Sequence, residues 1–177
     1  MNKNFNTKRM TTNAILIAIG AILHYITPLF SPTMQPDLSL AMLFIIIIYN
    51  KDYKTCAICG LIVGIFAAIT TKAPGGQLPN IIDKFTTTNI IYFVLIPLRD
   101  RLSKAQQMLV LLPFGTLISG SLFITVYFLL GGIPSSALQT MFIAVVVPTV
   151  ALNFVIGFIL YKAVEKTINI TGAYSVL

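Results

Sequence analysis

From residue 11 to residue 164 the chain is a succession of apolar runs. The hinges between them, such as NKDYK at 50–54, RDRLSK at 99–104 and GGIPSS at 131–136, are too short to fold alone. Charged residues make up 10% of the 177 positions and hydrophobic ones 56%, whereas a soluble domain carries about a quarter charged residues. Mean hydropathy is +0.89. That inventory cannot cover a water-facing surface, and backbone groups in lipid are satisfied by forming helices. The expected fold is therefore one all-α, polytopic membrane domain over residues 1–177.

Six transmembrane helices are expected, at about 11–27, 37–50, 55–71, 80–98, 106–130 and 137–164. The basic start MNKNFNTKRM precedes an apolar run longer than a signal-peptide core, with no small-residue cleavage site before Pro28, so it reads as a retained first span. On that helix Ala14 and Ala18 stand one turn apart, extended by Thr11 and Ala21. Such a stripe permits close approach by another helix, inside or outside the bundle. The second run, LSLAMLFIIIIYN, would be only ~20 Å long as a helix, short of a ~30 Å bilayer core. Loop 1 (27–37), with Pro28, Pro32 and Pro36, is therefore expected to dip into the membrane. Cys56, Gly60, Gly64 and Ala68 recur every four residues and form a packing seam on the third helix. Pro113 should kink the fifth helix or mark its start.

Charge placement sets the orientation. With six spans, Lys3, Lys8, Arg9, Lys51, Lys54, Arg99, Arg101, Lys104, Lys162 and Lys166 share the side of the termini. Only Lys72 and Lys84 lie opposite. This bias places the N- and C-termini in the cytoplasm. The net charge of +7 is thereby spent in topology clusters, with no basic face for nucleic acid.

The one long polar interruption that is not a basic hinge is TTKAPGGQLPNIIDKFTTTN (70–89), on the outer side. Pro74-Gly75-Gly76 calls for a turn and lets backbone N–H groups approach a ligand. Asn80 suits a helix cap, which would put Asp83 and Lys84 in the first turn of the fourth helix. A helix this polar at its outer half should line a cavity. The plainer reading has Asp83 complementing the helix dipole and Lys84 snorkelling to the interface. Candidate ligand contacts are Gly75, Gly76, Gln77, Asn80, Asp83 and Lys84 in this stretch, Gln35 and Asp37 in loop 1, His24 on the first helix and Asn153 on the sixth. Such a set suits a zwitterion: an acid for an ammonium, and Lys84, glycine N–H groups, Gln77 or Asn80 for a carboxylate.

Other chemistries find little support. His24 is the single histidine, without acids near it in sequence to make a metal site or a catalytic pair. Cys56 and Cys59 form a CxxC that would serve a membrane thiol redox enzyme. They fall at the cytoplasmic end of the third helix, where thiols stay reduced, and read better as small packing residues. No Walker loop, HExxH or GxSxG occurs. No enzyme activity and no cofactor are expected. A secondary transporter acting alone remains open on these residues.

The chain resembles the substrate-binding S components of energy-coupling factor (ECF) transporters, and within them the tryptophan transport family. The resemblance rests on Ala14-x-x-x-Ala18, on Pro36-Asp37 at the entry to the second helix, and most specifically on Thr70-Thr71 followed by Gly76-Gln77-x-Pro79-Asn80-x-Ile82-Asp83-Lys84. It implies an S-component-like bundle that captures a small molecule outside, tryptophan here or else another metabolite or vitamin. It further implies delivery inward with a coupling membrane subunit and two ATPases, and makes Ala14 and Ala18 a docking surface for that coupling subunit.

Overall fold

The computed structural model describes residues 7–29 and 35–174, and all its regular elements are helical. In order they are α1 (Thr7–Ile26), α2 (Ser39–Tyr49), α3 (Tyr53–Thr70), α4 (Gln77–Leu98) and α5 (Lys104–Leu129). A composite span follows, with a short 3-10 turn, α6 (Leu138–Met141), a π-helical turn (Phe142–Val146) and α7 (Val147–Thr171). α1, α3, α4, α5 and the stretch Ser135–Thr171 are long and apolar enough to cross a membrane, and α2 is a shorter apolar helix. The chain is thus a polytopic, all-α membrane protein.

α2 is the axis of the bundle. All eleven of its residues are buried, as a helix apolar on every side must be. At about 1.5 Å per residue it is too short to span lipid, and its neighbours shield it from needing to. Three of them approach it through glycine. A Cβ on Gly20 of α1 would touch Met42 and Ser39; one on Gly115 of α5 would strike the Phe44 ring at 2.3 Å; one on Gly157 of α7 would meet Ala41 at 3.1 Å. Small residues let backbones approach where packing, not hydrophobicity, drives association. Gln35, Pro36 and Asp37 are buried, so this end of loop 1 enters the bundle; the rest of the expected dip, 30–34, lies outside the described residues.

The seam on α3 packs against α4. Cys56, Gly60, Gly64 and Ala68 are all buried. A Cβ on Gly60 would lie 2.2 Å from Thr88 Oγ1, and one on Gly64 would lie 3.1 Å from the Ile81 backbone and 3.3 Å from Lys84 Cβ. At the hinge end, Arg99 donates to the carbonyls of Ile47 and Asn50 at 2.9 and 3.0 Å, tying the end of α4 to the C-terminal carbonyls of α2 and its cap. Asn13, Asn50 and Tyr174 form a buried polar knot joining α1, α2 and the C-terminal segment.

Several expected boundaries shift. α4 begins at Gln77 with Gly76 as its N-cap, so Asn80 is not the cap. Its side chain instead donates back to the Gly76 carbonyl at 2.8 Å. Pro79 is the third helical residue, where an absent N–H costs nothing, and this lets the helix start one turn earlier. α5 begins before Pro113, because Ser103 and Gln106 close a capping box. The last span continues past Val164 to Thr171 and stops at Gly172, whose φ is +61°. Its polar tail stays helical with support from a Lys162–Glu165 pair at 2.8 Å. The π turn ends just ahead of Pro148, which cannot donate to the Ala144 carbonyl, and the wider turn takes up that misfit.

Candidate functional site

The turn between α3 and α4 forms as its residues require. Gly75 has φ +77°, open to glycine at no cost, and the Gly76 N–H closes the turn on the Ala73 carbonyl at 3.0 Å. That N–H is therefore spent within the turn. The Tyr127 hydroxyl of α5 donates to the Pro74 carbonyl, holding the turn against a small apolar cluster that includes Ala73, Phe123, Tyr127, Ile133 and Met141.

Beneath this turn lies a pocket lined by residues of α1, α2, α4, α5 and the composite last span, and of the two connections on this side. His24 comes from α1; Gln35 and Asp37 from loop 1; Leu40 from α2; Thr71 and Ala73 from the turn; Asn80, Asp83 and Lys84 from α4. Thr116, Ser119, Gly120 and Phe123 of α5, Val146 and Thr149 complete it. Its free space is about 30 Å³, room for about two water molecules.

The electrostatic centre is Lys84, which is 1% exposed. Its ammonium pairs with Asp37 Oδ2 at 2.7 Å and contacts Asp83 Oδ2 more closely still. Snorkelling is thereby overturned, and so is a first-turn position: with α4 starting at Gln77, Asp83 and Lys84 occupy its second turn and face inward. Asp83 accepts further hydrogen bonds from Thr87 Oγ1 at 2.9 Å and Ser119 Oγ at 2.8 Å. Asp37 Oδ1 accepts from the Ser39 backbone N–H at 2.8 Å and from the Ser39 hydroxyl. Isolated buried charges are prohibitively costly in a low-dielectric interior, and this mutual pairing is what makes the cluster tolerable.

His24 belongs to a second, neutral network. The Thr70 hydroxyl donates its hydrogen to the Phe66 carbonyl at 2.7 Å, so at 2.7 Å from His24 Nδ1 it accepts. The Gln35 amide nitrogen sits 3.3 Å from Nε2 and donates to the His24 carbonyl at 2.9 Å, while its oxygen accepts from the Lys72 N–H at 2.9 Å. These roles assign the neutral Nδ1–H tautomer. Lys72 Nζ reaches the Thr27 carbonyl at 2.8 Å. Loop 1, α1 and the 71–76 turn are thus fastened together over the pocket.

Of the candidates, His24, Gln35, Asp37, Asn80, Asp83 and Lys84 line one pocket. Asn153 stands behind it, fully buried, donating to the Asp37 carbonyl at 2.9 Å and Thr116 Oγ1 at 3.1 Å. Gly75 and Gln77 are exposed, and neither they nor Gly76 line the pocket. The residues that sequence reading missed are chiefly those of α5 and α7. Thr116, Ser119 and Gly120 are polar or small at three- to four-residue spacing in an apolar helix, which is the one signal that could have marked that face.

Cys56 and Cys59 are buried free thiols on α3. Cys56 Sγ donates to the Asn50 carbonyl at 3.4 Å, on the basic-hinge side of the bundle. Neither cysteine lines the pocket. Their surroundings are those of packing residues.

A polytopic helical bundle with a charged, many-helix pocket beneath a tied turn is a membrane protein built around a site of small-molecule character. The chain belongs to the tryptophan transporter TrpP family, whose family model matches residues 6–169. A probable tryptophan transport protein of Clostridium perfringens is 47% identical over 178 residues, covering 96% of this chain and 97% of that one. Proteins of the same description from Clostridium acetobutylicum and Bacillus subtilis are 42% and 36% identical, covering 93% and 92% of this chain and 96% and 94% of theirs. No solved structure matches the chain.

Proposed function

We propose that this chain is the substrate-capture subunit of an ECF-type importer for tryptophan. It binds the amino acid from outside and delivers it inward with a coupling membrane subunit and two ATPases. The observation that carries the reading is the buried Asp37–Lys84–Asp83 cluster opening on one pocket, in a chain whose relatives are named for tryptophan transport. His24, Gln35, Asn80 and Asn153 position or contact the ligand around that cluster. An indole side chain needs far more than the free space of about 30 Å³, so entry requires the 71–76 turn and Phe123 to move aside.

Binding by the purified chain alone tests the ligand. The chain contains no Trp, so emission from bound tryptophan is read without background from the protein's own indoles. Saturable binding is expected. Its absence, with tight binding of another metabolite, would replace the ligand and keep the class.

The partner half of the reading rests on α1. Ala14 and Ala18 are exposed on the outer face of the bundle, beside Ile15 and Ile22, which are 54% and 60% exposed. An internal packing role for the pair is thus overturned, and the small-residue face is available to a helix outside the chain. Ala14→Trp and Ala18→Trp should abolish uptake in cells that carry the partners while leaving tryptophan affinity unchanged. Loss of affinity as well would mean that α1 acts through the fold.

A further inference from the structure

We infer that the pocket selects its ligand by the ammonium group, and that a ligand carboxylate is secondary. This deepens the tryptophan reading and rests on it for the identity of the ring. The argument is a charge inventory. Asp37, Asp83 and Lys84 are each at least nine-tenths buried; two acids face one base, so with both acids ionised the set carries one negative charge in excess. His24, the other titratable side chain lining the pocket, is held as the neutral tautomer by Thr70 and Gln35. Lys84 already serves two carboxylates, so it has no uncompensated charge to offer a third. An anionic group entering here would meet net repulsion; a cation would complete a two-by-two array.

The point of entry is also defined. Each oxygen of Asp83 accepts a hydrogen bond, from Thr87 on one and from Ser119 and Lys84 on the other. Asp37 differs in that only one of its oxygens does. Its Oδ1 is occupied by Ser39, but its Oδ2, buried in the pocket wall, accepts no aligned hydrogen bond and has only the 2.7 Å ion contact with Lys84. An ammonium has three donors, and this carboxylate oxygen in the pocket wall has capacity for one of them. In a water-poor interior such a charge-assisted bond is stronger than a neutral one. Because a buried polar group left unpaired is costly, a site built on it rejects analogues that lack the partner more sharply than those that lack a rim contact.

Three ligands separate the possibilities on the unaltered chain in detergent: tryptophan, tryptamine (ammonium without carboxylate) and indole-3-propionate (carboxylate without ammonium). Equilibrium binding should place tryptamine within about tenfold of tryptophan and indole-3-propionate at least about a hundredfold weaker. Tryptophan and indole-3-propionate binding alike, or tryptamine failing where tryptophan binds, would overturn ammonium selection and leave the tryptophan reading intact. Tryptamine binding without tryptophan would do the reverse. Binding by neither would overturn both. Asp37→Asn, which removes the excess charge, should collapse the preference for tryptamine over indole-3-propionate by tenfold or more. A preference unchanged in a folded variant would place the selecting group elsewhere.

Discussion

Lys84→Met is expected to be the most damaging single substitution in the chain. The methionine keeps the volume and apolar stem but removes the one cation among the described residues that pairs with Asp37 and Asp83, two carboxylates at least nine-tenths buried. Breaking a buried ion pair by removing one partner costs ~3–5 kcal/mol, because the other charge is left uncompensated. Here two are left. Thermal unfolding in detergent should show a large drop, and ligand binding should be lost even below the transition. The triple variant Asp37→Asn, Asp83→Asn, Lys84→Met carries no charge in the pocket. It should recover most of the stability without recovering binding. If Lys84→Met melts like the parent chain, the pairing contributes nothing to the fold and the cluster needs another account.

Gly60→Leu is the second. Its first added carbon would lie 2.2 Å from Thr88 Oγ1 and 2.7 Å from Thr88 Cβ, so α3 and α4 must separate. Overpacking a tight contact costs typically 1–3 kcal/mol and sometimes more; a whole isobutyl group between two helices belongs at ~3 kcal/mol. The consequence for function follows from the hydrogen bond of Thr88 Oγ1 to the Lys84 carbonyl at 2.7 Å. Any shift at Thr88 moves the backbone that carries Lys84, one turn away. Tryptophan affinity should therefore fall along with the melting temperature. Leu61→Ala, on the outer face of the same helix, is the control and should stay within ~0.5 kcal/mol of the parent. A Gly60→Leu variant that binds normally would show that the seam does not set the position of α4.

Both substitutions act through a feature that was only half legible. The four-residue recurrence of Cys56, Gly60, Gly64 and Ala68 marks a seam in the bare sequence, yet nothing there says that α4 is its partner or that Lys84 Cβ lies against Gly64. The Gly76–Lys84 run was likewise conspicuous as a polar stretch between apolar ones. Its register was misread: Asn80 looked like a cap because Asn followed by Asp three residues on is a common start. Gly76 and Pro79 allowed the helix to begin earlier, and that rotated Asp83 and Lys84 from the rim to the interior. α5 gave the weakest warning. Ser119 and Thr116 are unremarkable in a long apolar helix until its rotation sets them against Asp83 and Asn153.

Taken alone, the sequence determines the class, since so few charges and so many apolar runs admit only a helical membrane protein with about these spans. It also determines where polarity interrupts those spans. Only the tertiary structure decides that Asp37, 47 positions before Lys84, is its counter-ion, and that the shortest helix is the axis around which the others pack. The reason is physical. Periodicity and hydropathy record what each helix requires of its surroundings, lipid or protein, polar or apolar. Which buried face meets which is set by how side chains and glycine gaps interlock between helices far apart in the chain. The 70–89 stretch could announce that it needed partners; the bundle had to supply them.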